Sequence, residues 1–191
     1  KDASGNNVLK TLEIVSPPVD IEFDSYIYEY TFTVPSATES LELKLEAVNP
    51  QATILVDGNE NLKVGMNQIK IKVTAENGNS RTYILNVYKE KSDNAYLSSL
   101  NITNDNNEEL ELTPTFNKLF TNYNAIASSS DKTITINAIP EEGIVTGNGT
   151  FNLVSGKNVF PITVTSESGE TMIYEVIIMK SLNNNSNLLN I

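Results

Sequence analysis

Carboxylates are the main side chains with which this sequence could do chemistry. The 191 residues include no His and no Cys, which closes the Ser-His-Asp and Cys-His nucleophilic sites and the usual zinc sites. Two adjacent acid pairs remain, Glu108-Glu109 and Glu141-Glu142. Glycoside hydrolysis needs two acids held about 5–10 Å apart across a cleft, whereas both pairs fall in predicted loops, where such charges are solvated. The sequence therefore predicts no catalytic residue, and we expect the protein not to be an enzyme.

Two oxygen-rich clusters have side chains suited to calcium, which takes about six to eight oxygen ligands. They are the run Asn104–Glu109 and the pair Asp93-Asn94. Neither has the acidic ladder and Gly of an EF-hand loop. We therefore interpret both as solvated loops, with a calcium site as the alternative, and we expect no metal and no cofactor.

Two tyrosines lie between Phe23 and Tyr30, at Tyr26 and Tyr28. An exposed aromatic patch is the usual platform for a sugar ring, although the chain has no Trp. Tyrosine is also common on the face of a sheet, where it favours strand pairing. We favour the sheet-face interpretation and keep the sugar platform as the alternative.

The charge of the chain excludes several classes of partner. The formal net charge is −11, and Arg81 is the only arginine. Nucleic acids and anionic membranes both require clustered Lys and Arg, so we expect neither partner. No apolar run approaches the roughly 20 residues of a membrane span, and we expect no membrane insertion.

A repeat organises the chain. The spacing Leu9-x-x-Leu12-x-Ile14 returns as Leu97-x-x-Leu100-x-Ile102, 88 residues later (97 − 9). Phe23 and Tyr30 return as Phe116 and Tyr123, 93 residues later (116 − 23). Beyond them an offset of 91 (134 − 43) aligns like residues: Leu43 with Ile134, Leu45 with Ile136, Ala47 with Ala138, Gly58 with Gly149, Leu62 with Leu153, Gly65 with Gly156, Asn67 with Asn158, Ile71 with Ile162, Val73 with Val164, Gly78 with Gly169, Tyr83 with Tyr174 and Val87 with Ile178. So many like residues at nearly one offset indicate that the same structural unit occurs twice in the chain.

Within each copy, apolar and polar residues alternate with a period of two, which is typical of strands with one buried face. Examples are Ile69–Val73 in the first copy and Ile134–Ala138 in the second. Turn signals separate the runs, and Asn77-Gly78 and Ser168-Gly169 fit tight hairpins. About six or seven short strands in ~90 residues predict an all-β, immunoglobulin-like two-sheet sandwich for each copy.

Two modifications fit particular positions. A Lys-Asn isopeptide cross-link would join Lys10 to Asn86, but the second copy has Ser98 where Lys10 stands. Asn101, Asn148 and Asn184 each begin a glycosylation acceptor pattern. Such matches are expected by chance in an Asn-rich chain, and we interpret neither modification as functional.

Taken in order, these motifs resemble the cadherin-like β-sandwich domain that occurs in tandem in bacterial surface and secreted proteins. The first copy matches through Leu9-x-x-Leu12-x-Ile14, Phe23, Tyr30–Pro35, Gly65-x-Asn67, Val73–Gly78 and Tyr83. The second matches through Leu97-x-x-Leu100-x-Ile102, Phe116, Tyr123, Gly156-x-Asn158, Val164–Gly169 and Tyr174, but departs from the pattern after Tyr123. The resemblance implies a fold and an extracellular setting, and it implies no catalytic residue.

We therefore predict two tandem cadherin-like sandwiches, residues 1–91 and 92–182, joined by the polar segment 89–94. Residues 183–191 form a tail, and Asn187–Ile191 resembles the start of a third repeat.

The predicted function is a non-catalytic spacer on a bacterial cell surface or in a secreted protein, projecting or linking other domains of the same polypeptide. The alternative is an adhesin module that contacts a glycan or host protein through loops at one end of a sandwich. We expect the flanking domains as partners and a monomeric chain.

Overall fold

The computed structural model describes residues 3–182, and all of the regular secondary structure in that range is β-strand. The predicted all-β class is therefore confirmed. No helix in this range has the length and apolarity needed to cross a membrane. The chain divides into two compact units between Lys91 and Ser92. The predicted start of a third repeat at Asn187–Ile191 lies outside the described residues.

Unit 1 has six strands among its described residues, 3–91. They are β1 (Leu9–Ser16), β2 (Glu29–Val34), β3 (Glu42–Ala47), β4 (Thr53–Asp57), β5 (Gly65–Thr74) and β6 (Ser80–Lys89). Unit 2 has seven within the described range. They are β7 (Leu97–Asn104), β8 (Asn122–Ala127), β9 (Thr133–Pro140), β10 (Ile144–Thr146), β11 (Gly149–Asn152), β12 (Gly156–Thr165) and β13 (Thr171–Lys180).

Unit 1 is built from a two-stranded sheet, β1-β3, and a four-stranded sheet in the order β2-β6-β5-β4. Strands β4, β5 and β6 are antiparallel neighbours. Strand β2 instead runs parallel to β6, from Glu29 opposite Ile84 to Val34 opposite Lys89. Parallel neighbours need a crossover connection, and here the chain between them passes through β3 in the other sheet.

Unit 2 repeats this plan with one change. Its sheets have the orders β11-β9-β7 and β10-β12-β13-β8, and β8 is parallel to β13. Where unit 1 has the single strand β4, unit 2 has two short strands: β10 pairs with β12, and β11 pairs with β9. The chain therefore changes sheet at Gly147-Asn148.

The backbone conformation of Gly147 and the side chain of Asn148 stabilise the point at which the chain passes from one sheet to the other. Gly147 has φ +100°, and a Cβ atom there would lie 2.5 Å from the carbonyl oxygen of Pro161, so a larger residue does not fit. Asn148 accepts a hydrogen bond from the amide of Ala138 at 2.8 Å and donates one to the Ala138 carbonyl at 2.8 Å. Asn148 thus satisfies both backbone groups of Ala138.

Each unit has its own hydrophobic cluster. The buried residues of unit 1 are Leu9, Leu12, Ile14, Val34, Leu41, Leu62, Ile69, Ile71, Val73, Tyr83, Leu85 and Val87. Those of unit 2 are Ala95, Leu97, Leu100, Ile102, Tyr123, Ala125, Ala127, Ile134, Ile136, Ala138, Leu153, Ile162, Val164, Tyr174, Val176 and Ile178. The predicted inward faces are confirmed, although Leu43, Leu45 and Ala47 of β3 are only partly buried. Full burial of one such aliphatic side chain contributes about 1.5–3 kcal/mol.

The shared Gly-x-Asn motif fixes the start of β5 and of β12. In unit 1, Asn67 accepts a hydrogen bond from the Lys63 amide at 2.8 Å and donates to the carbonyls of Lys63, Gly65 and Val87. Asn158 makes the same four kinds of bond in unit 2. The hairpin glycines also agree with prediction, because Gly78 and Gly169 have φ +88° and +101°.

Candidate functional site

The most exposed aromatic group in unit 1 is at the end of the connection between β1 and β2. An Asx turn forms its tip, since Asp24 Oδ1 accepts a hydrogen bond from the Tyr26 amide at 2.7 Å. The Asp24 carbonyl accepts a second from the Ile27 amide at 3.0 Å. Tyr26 is 73% exposed, Ile27 49% and Tyr28 39%. We call Asp24–Tyr28 the tip loop of unit 1.

Tyrosines from the strands beneath hold this tip loop. The Tyr30 hydroxyl accepts from the Asp24 amide at 2.8 Å and donates to the Asp24 carbonyl at 2.9 Å. The Tyr83 hydroxyl accepts from the Leu9 amide at 3.0 Å and donates to the Ser25 carbonyl at 2.7 Å. Four backbone groups are therefore satisfied by two side chains, which fixes the tip relative to β1, β2 and β6.

Tyr28 is engaged by neighbouring side chains. The Arg81 guanidinium carbon lies 4.6 Å above its ring centroid, and Arg81 also donates a hydrogen bond to its hydroxyl. The ring meets Tyr83 edge-on at 5.5 Å between centroids. Tyr26 and Ile27 are therefore the more accessible part of the tip, beside a guanidinium donor. The favoured sheet-face interpretation fails for Tyr26, which lies in the turn, whereas the Tyr28 carbonyl accepts from the Ile84 amide of β6 at 2.7 Å.

Unit 2 builds the same turn with different side chains. Asn117 Oδ1 accepts from the Leu119 amide at 3.0 Å, and the Asn117 carbonyl accepts from the Phe120 amide at 2.9 Å. The Tyr174 hydroxyl donates to the Lys118 carbonyl at 2.8 Å, as Tyr83 does in unit 1. Leu119 is 66% exposed and Phe120 49%. We call Asn117–Phe120 the tip loop of unit 2.

The exposed pair Leu119-Phe120 was missed by the sequence reasoning. The signal was available, since the offset of 93 (119 − 26) places Leu119 opposite Tyr26 and Phe120 opposite Ile27. Both units therefore present two consecutive large apolar residues to solvent at the same turn. Such a tip can contact an apolar surface or, at Tyr26 or Phe120, a sugar ring.

The acid pair Glu141-Glu142 does not form a catalytic arrangement. Lys118 donates to both Glu141 carboxylate oxygens at 2.8 and 3.0 Å, and Asn94 donates to Oε2 at 3.0 Å. The bonds from Lys118, and then Asn94, lower the pKa of Glu141 below its ordinary value. A carboxyl held ionised in this way is a poor general acid. Its neighbour Glu142 points into solvent as an exposed residue.

In the run Asn104–Glu109, for which a calcium site was the alternative, Asn104 and Glu108 are engaged in internal hydrogen bonds. Asn104 Oδ1 accepts from the amides of Asn106 and Glu108, while Nδ2 donates to the carboxylates of Glu108 at 2.8 Å and Asp131 at 3.2 Å. Asn104 is buried and closes the turn after β7. Glu109 lies beyond this network. Within residues 3–182, no three carboxylates come close enough together to hold a metal ion.

The junction pair Asp93-Asn94 has a local role through Asn94. Asn94 Oδ1 accepts from the Tyr96 amide at 3.0 Å, and its Nδ2 reaches Glu141. Asp93 is exposed. This is a capped turn leading into β7, and its amide oxygen is already used by the backbone.

The structure does not bring Lys10 to Asn86. Lys10 forms an exposed ion pair with Glu46 at 3.0 Å, and Asn86 donates to Glu29 at 2.6 Å. The two residues lie in different sheets. Ser98, opposite Lys10 in the repeat, donates to the Ile139 carbonyl at 3.0 Å. These contacts give no support to the isopeptide interpretation.

The glycosylation patterns fall in unlike places. Asn101 is exposed on β7, whereas the exposed Asn148 bonds both backbone groups of Ala138. A glycan on Asn148 would replace one of its two amide N–H groups, and the other remains as a donor for the Ala138 carbonyl. Asn184 lies outside the described residues.

Comparisons with solved structures give likeness at low identity. Fibronectin(III)-like modules of Clostridium thermocellum CbhA share 12% identity over 90% of this chain and 94% of that chain, with a TM-score of 0.23. Extracellular cadherin domains 1–4 of protocadherin gamma B7 share 9% over 80% and 49%, with a TM-score of 0.29. SGBP-B of the Bacteroides ovatus mixed-linkage glucan utilization locus, solved in complex with a mixed-linkage heptasaccharide, shares 13% over 79% of this chain and 67% of that chain, with a TM-score of 0.24. Likeness of this degree assigns neither ligand nor function.

Comparison with curated protein sequences gave no match. The family model of the cadherin-like β-sandwich domain, by contrast, matches residues 9–90. That span begins with the first residue of β1 and ends one residue after β6, so it covers the full set of unit 1 strands. Residues 9–90 of this chain thus match the cadherin-like β-sandwich domain family, which confirms the resemblance of the first copy.

Proposed function

We propose that this chain is a non-catalytic structural module of a bacterial cell-surface or secreted protein. In this proposal residues 92–182 form a second cadherin-like domain after the one at 9–90. Together they space or project other domains of the same polypeptide. The extracellular setting rests on the usual location of the family.

The observation that carries the proposal is how the shared polar side chains are used. In both units the motif residues bind backbone groups: Tyr30 and Tyr123, Tyr83 and Tyr174, and Asn67 and Asn158. These are among the positions that the repeat preserves most faithfully. A sequence retained to hold turns and strand ends serves a fold, not a reaction.

The second unit follows the first closely enough to support a shared domain type. The β5-β6 ladder of unit 1 and the β12-β13 ladder of unit 2 have the same register throughout, from Gly65 opposite Lys89 and from Gly156 opposite Lys180. Both units also place their second strand parallel to their last. This topology is the strongest argument for a tandem pair.

A replacement experiment in the full-length polypeptide tests the spacer role. In one variant residues 9–182 are exchanged for two unrelated sandwich domains of the same length, and in another they are deleted. We expect the exchange to preserve the activity or surface display of the flanking domains and the deletion to reduce it. Loss of function after the exchange, with normal expression and secretion, would contradict a spacer.

An adhesin module is the second candidate, and the exposed tip loop of unit 1 favours it. Its test is the double substitution Tyr26→Ala and Ile27→Ser, with Leu55→Ser as the matched control because Leu55 is also exposed, at 66%, but lies on β4. Binding is measured on an array of immobilised oligosaccharides and on host extracellular-matrix proteins. The adhesin proposal expects the loop variant to lose binding and the control to keep it. Wild-type protein that binds no probe would leave the spacer as the better account.

A further inference from the structure

The outer face of the four-stranded sheet in unit 2 is unusually apolar. Successive side chains of a strand point to opposite faces of the sheet. The residues that alternate with the buried Tyr174, Val176 and Ile178 therefore point outward. On β8, β12 and β13, six of the outward residues are aliphatic, Met or Pro: Ile126, Val159, Pro161, Ile173, Ile177 and Met179. We call these six residues the aliphatic face. Ile126 is 76% exposed, Ile173 58%, Met179 47% and Val159 43%.

The register places five of these residues side by side, while Glu175, directly opposite Pro161, separates Ile173 from Ile177. Met179 lies directly opposite Ile126 on β8, and Ile177 lies directly opposite Val159 on β12. Side chains directly opposite one another are about 4.5–5.5 Å apart at Cβ, and those in the next row remain within reach. Single exposed apolar residues are ordinary, whereas a contiguous patch marks an interaction surface.

Unit 1 shows that the fold does not require an apolar surface here. At the same register positions it carries Gln68 for Val159, Lys70 for Pro161 and Asn86 for Ile177. Thr82 stands for Ile173, and Thr33 for Ile126. Five of the six positions are therefore polar in unit 1, and the sixth, equivalent to Met179, is the exposed Tyr88. Since the inward positions are alike, this difference concerns what the outer face contacts.

We propose that the aliphatic face of unit 2 packs against the same face of a second copy of this chain, forming a two-fold symmetric dimer. In a two-fold interface both copies use the same surface patch. If one residue contacts a second residue of the partner, the same contact occurs again with the two copies exchanged. The proposal goes beyond the spacer function and does not depend on it. It is the alternative to the monomer expected from sequence.

Charge favours a second copy as the occupant. Residues 92–191 hold eleven acids and four bases, yet the outward positions of β12 and β13 include one base, Lys157, and one acid, Glu175. This part of the surface is neutral on an otherwise acidic unit, so two copies meet here without like-charge repulsion. Two-fold symmetry also allows each Lys157 to approach the partner's Glu175.

The size and composition of the face set the expected strength. The six residues lie on three strands about 4.8 Å apart, along about seven residues at about 3.4 Å, which gives a footprint of roughly 14 by 24 Å. This is about 340 Å² per copy, less than half of the ~800 Å² of a standard interface. The six residues include no aromatic ring or Arg, the usual source of strong local binding energy. The geometry therefore points to a weak dimer that forms at high concentration, as on a densely covered surface.

Sedimentation velocity from about 1 µM to about 1 mM tests the proposal, a range that brackets weak association. The test variant is Val159→Gln with Ile177→Asn, which gives unit 2 the residues that unit 1 carries at the same positions. Leu119→Gln is the matched control, because Leu119 is 66% exposed but lies in the tip loop of unit 2. We expect dimerisation by wild type and control, and at least a tenfold weaker dimer in the double variant. Wild type that stays monomeric throughout, or a double variant that dimerises equally well, would overturn the proposal.

A charge exchange keeps the test decisive even if the double variant folds poorly. Lys157→Glu is expected to weaken the dimer, and adding Glu175→Lys is expected to restore it, since the pair is then exchanged across the two-fold axis. Amide exchange of the wild type should slow with concentration in β12 and β13 and remain constant in β5 and β6. Slowing confined to another region would show that a different surface associates.

Discussion

Asn67 and Asn158 show what the polar side chains inside this protein do. At the start of a strand, the side-chain amide of each accepts a hydrogen bond from one backbone N–H and donates hydrogen bonds to three backbone carbonyls. A buried polar backbone group left unpaired costs about 1–3 kcal/mol. At this scale the motif asparagines act as local supports for the chain.

Replacing Asn158 tests this role. Asn158→Ala leaves the Val154 amide and three carbonyls without their side-chain partner, so we expect unit 2 to lose about 2 kcal/mol. Urea unfolding followed by circular dichroism gives the change. Asn101→Ala is the control, because Asn101 is exposed on β7 and a surface change there should stay within about 0.5 kcal/mol. Equal losses in the two variants would contradict the assigned role.

Tyr83 and Tyr174 make stability depend on alkaline pH. Burial raises the pKa of both phenols above their ordinary value. The folded state then holds these protons more tightly than the unfolded state does. Their contribution is complete below about pH 10, the pKa of an unperturbed tyrosine. It is lost as pH rises from there through the folded-state pKa.

We expect the urea midpoint to fall between about pH 8 and about pH 11. The variant Tyr83→Phe with Tyr174→Phe should be less stable at the lower pH, because each lost hydroxyl bridges two backbone groups. It should also show a smaller further fall on raising the pH. A pH dependence identical to wild type would show that other groups cause it.

Among the elements, the edge strands distinguish the two units. The segment that forms β4 in unit 1 is divided in unit 2 into β10 and β11, which lie in different sheets. Strand β9 therefore pairs with β11 as well as with β7. Its counterpart in unit 1, β3, pairs only with β1 among the described strands. The alternating charges Glu42, Lys44 and Glu46 on β3 are typical of protected edge strands.

Gly147 is the residue on which this division depends. Gly147→Ala would place a Cβ 2.5 Å from the Pro161 carbonyl oxygen in addition to straining a φ of +100°. Gly169→Ala is the control, since its φ is +101° but nothing lies within 4 Å of the added carbon. We expect about 1 kcal/mol of destabilisation for the control and clearly more, about 3 kcal/mol, for Gly147→Ala. Thermal unfolding of both variants measures the difference, and equal shifts would mean that the contact relaxes freely.

For the whole molecule, the presence of two hydrophobic clusters predicts two independent responses to core substitution. Ile71 and Ile162 are fully buried at equivalent positions of β5 and β12. Each Ile→Val change removes one methylene and costs about 1 kcal/mol.

Amide hydrogen exchange by NMR distinguishes the two units. Ile71→Val should speed exchange in β5 and β6 and leave β12 and β13 unchanged, and Ile162→Val should do the reverse. The wild-type protein at the same pH is the reference. Exchange that speeds up in both units for either variant would show one shared cooperative core.

The repeat, the all-β class and the inward faces were readable from sequence because each depends on local order. Alternation with a period of two identifies a strand and its buried side, and glycine at a hairpin marks the required positive φ. Leu9, Ile71, Tyr83 and their counterparts were therefore assigned correctly. The absence of His and Cys in the sequence also limited the possible chemistry before any contact was known.

Pairing between distant segments was decided only by the tertiary structure. The parallel alignment of β2 with β6, the change of sheet at Gly147 and the exposure of Tyr26 follow from contacts between residues far apart in the chain. The aliphatic face is of the same kind: Val159, Ile177 and Ile126 are dispersed in sequence and become one surface only when β12, β13 and β8 are placed side by side. Periodicity tells which side of a strand faces inward, but which outward side chains become neighbours depends on strand order.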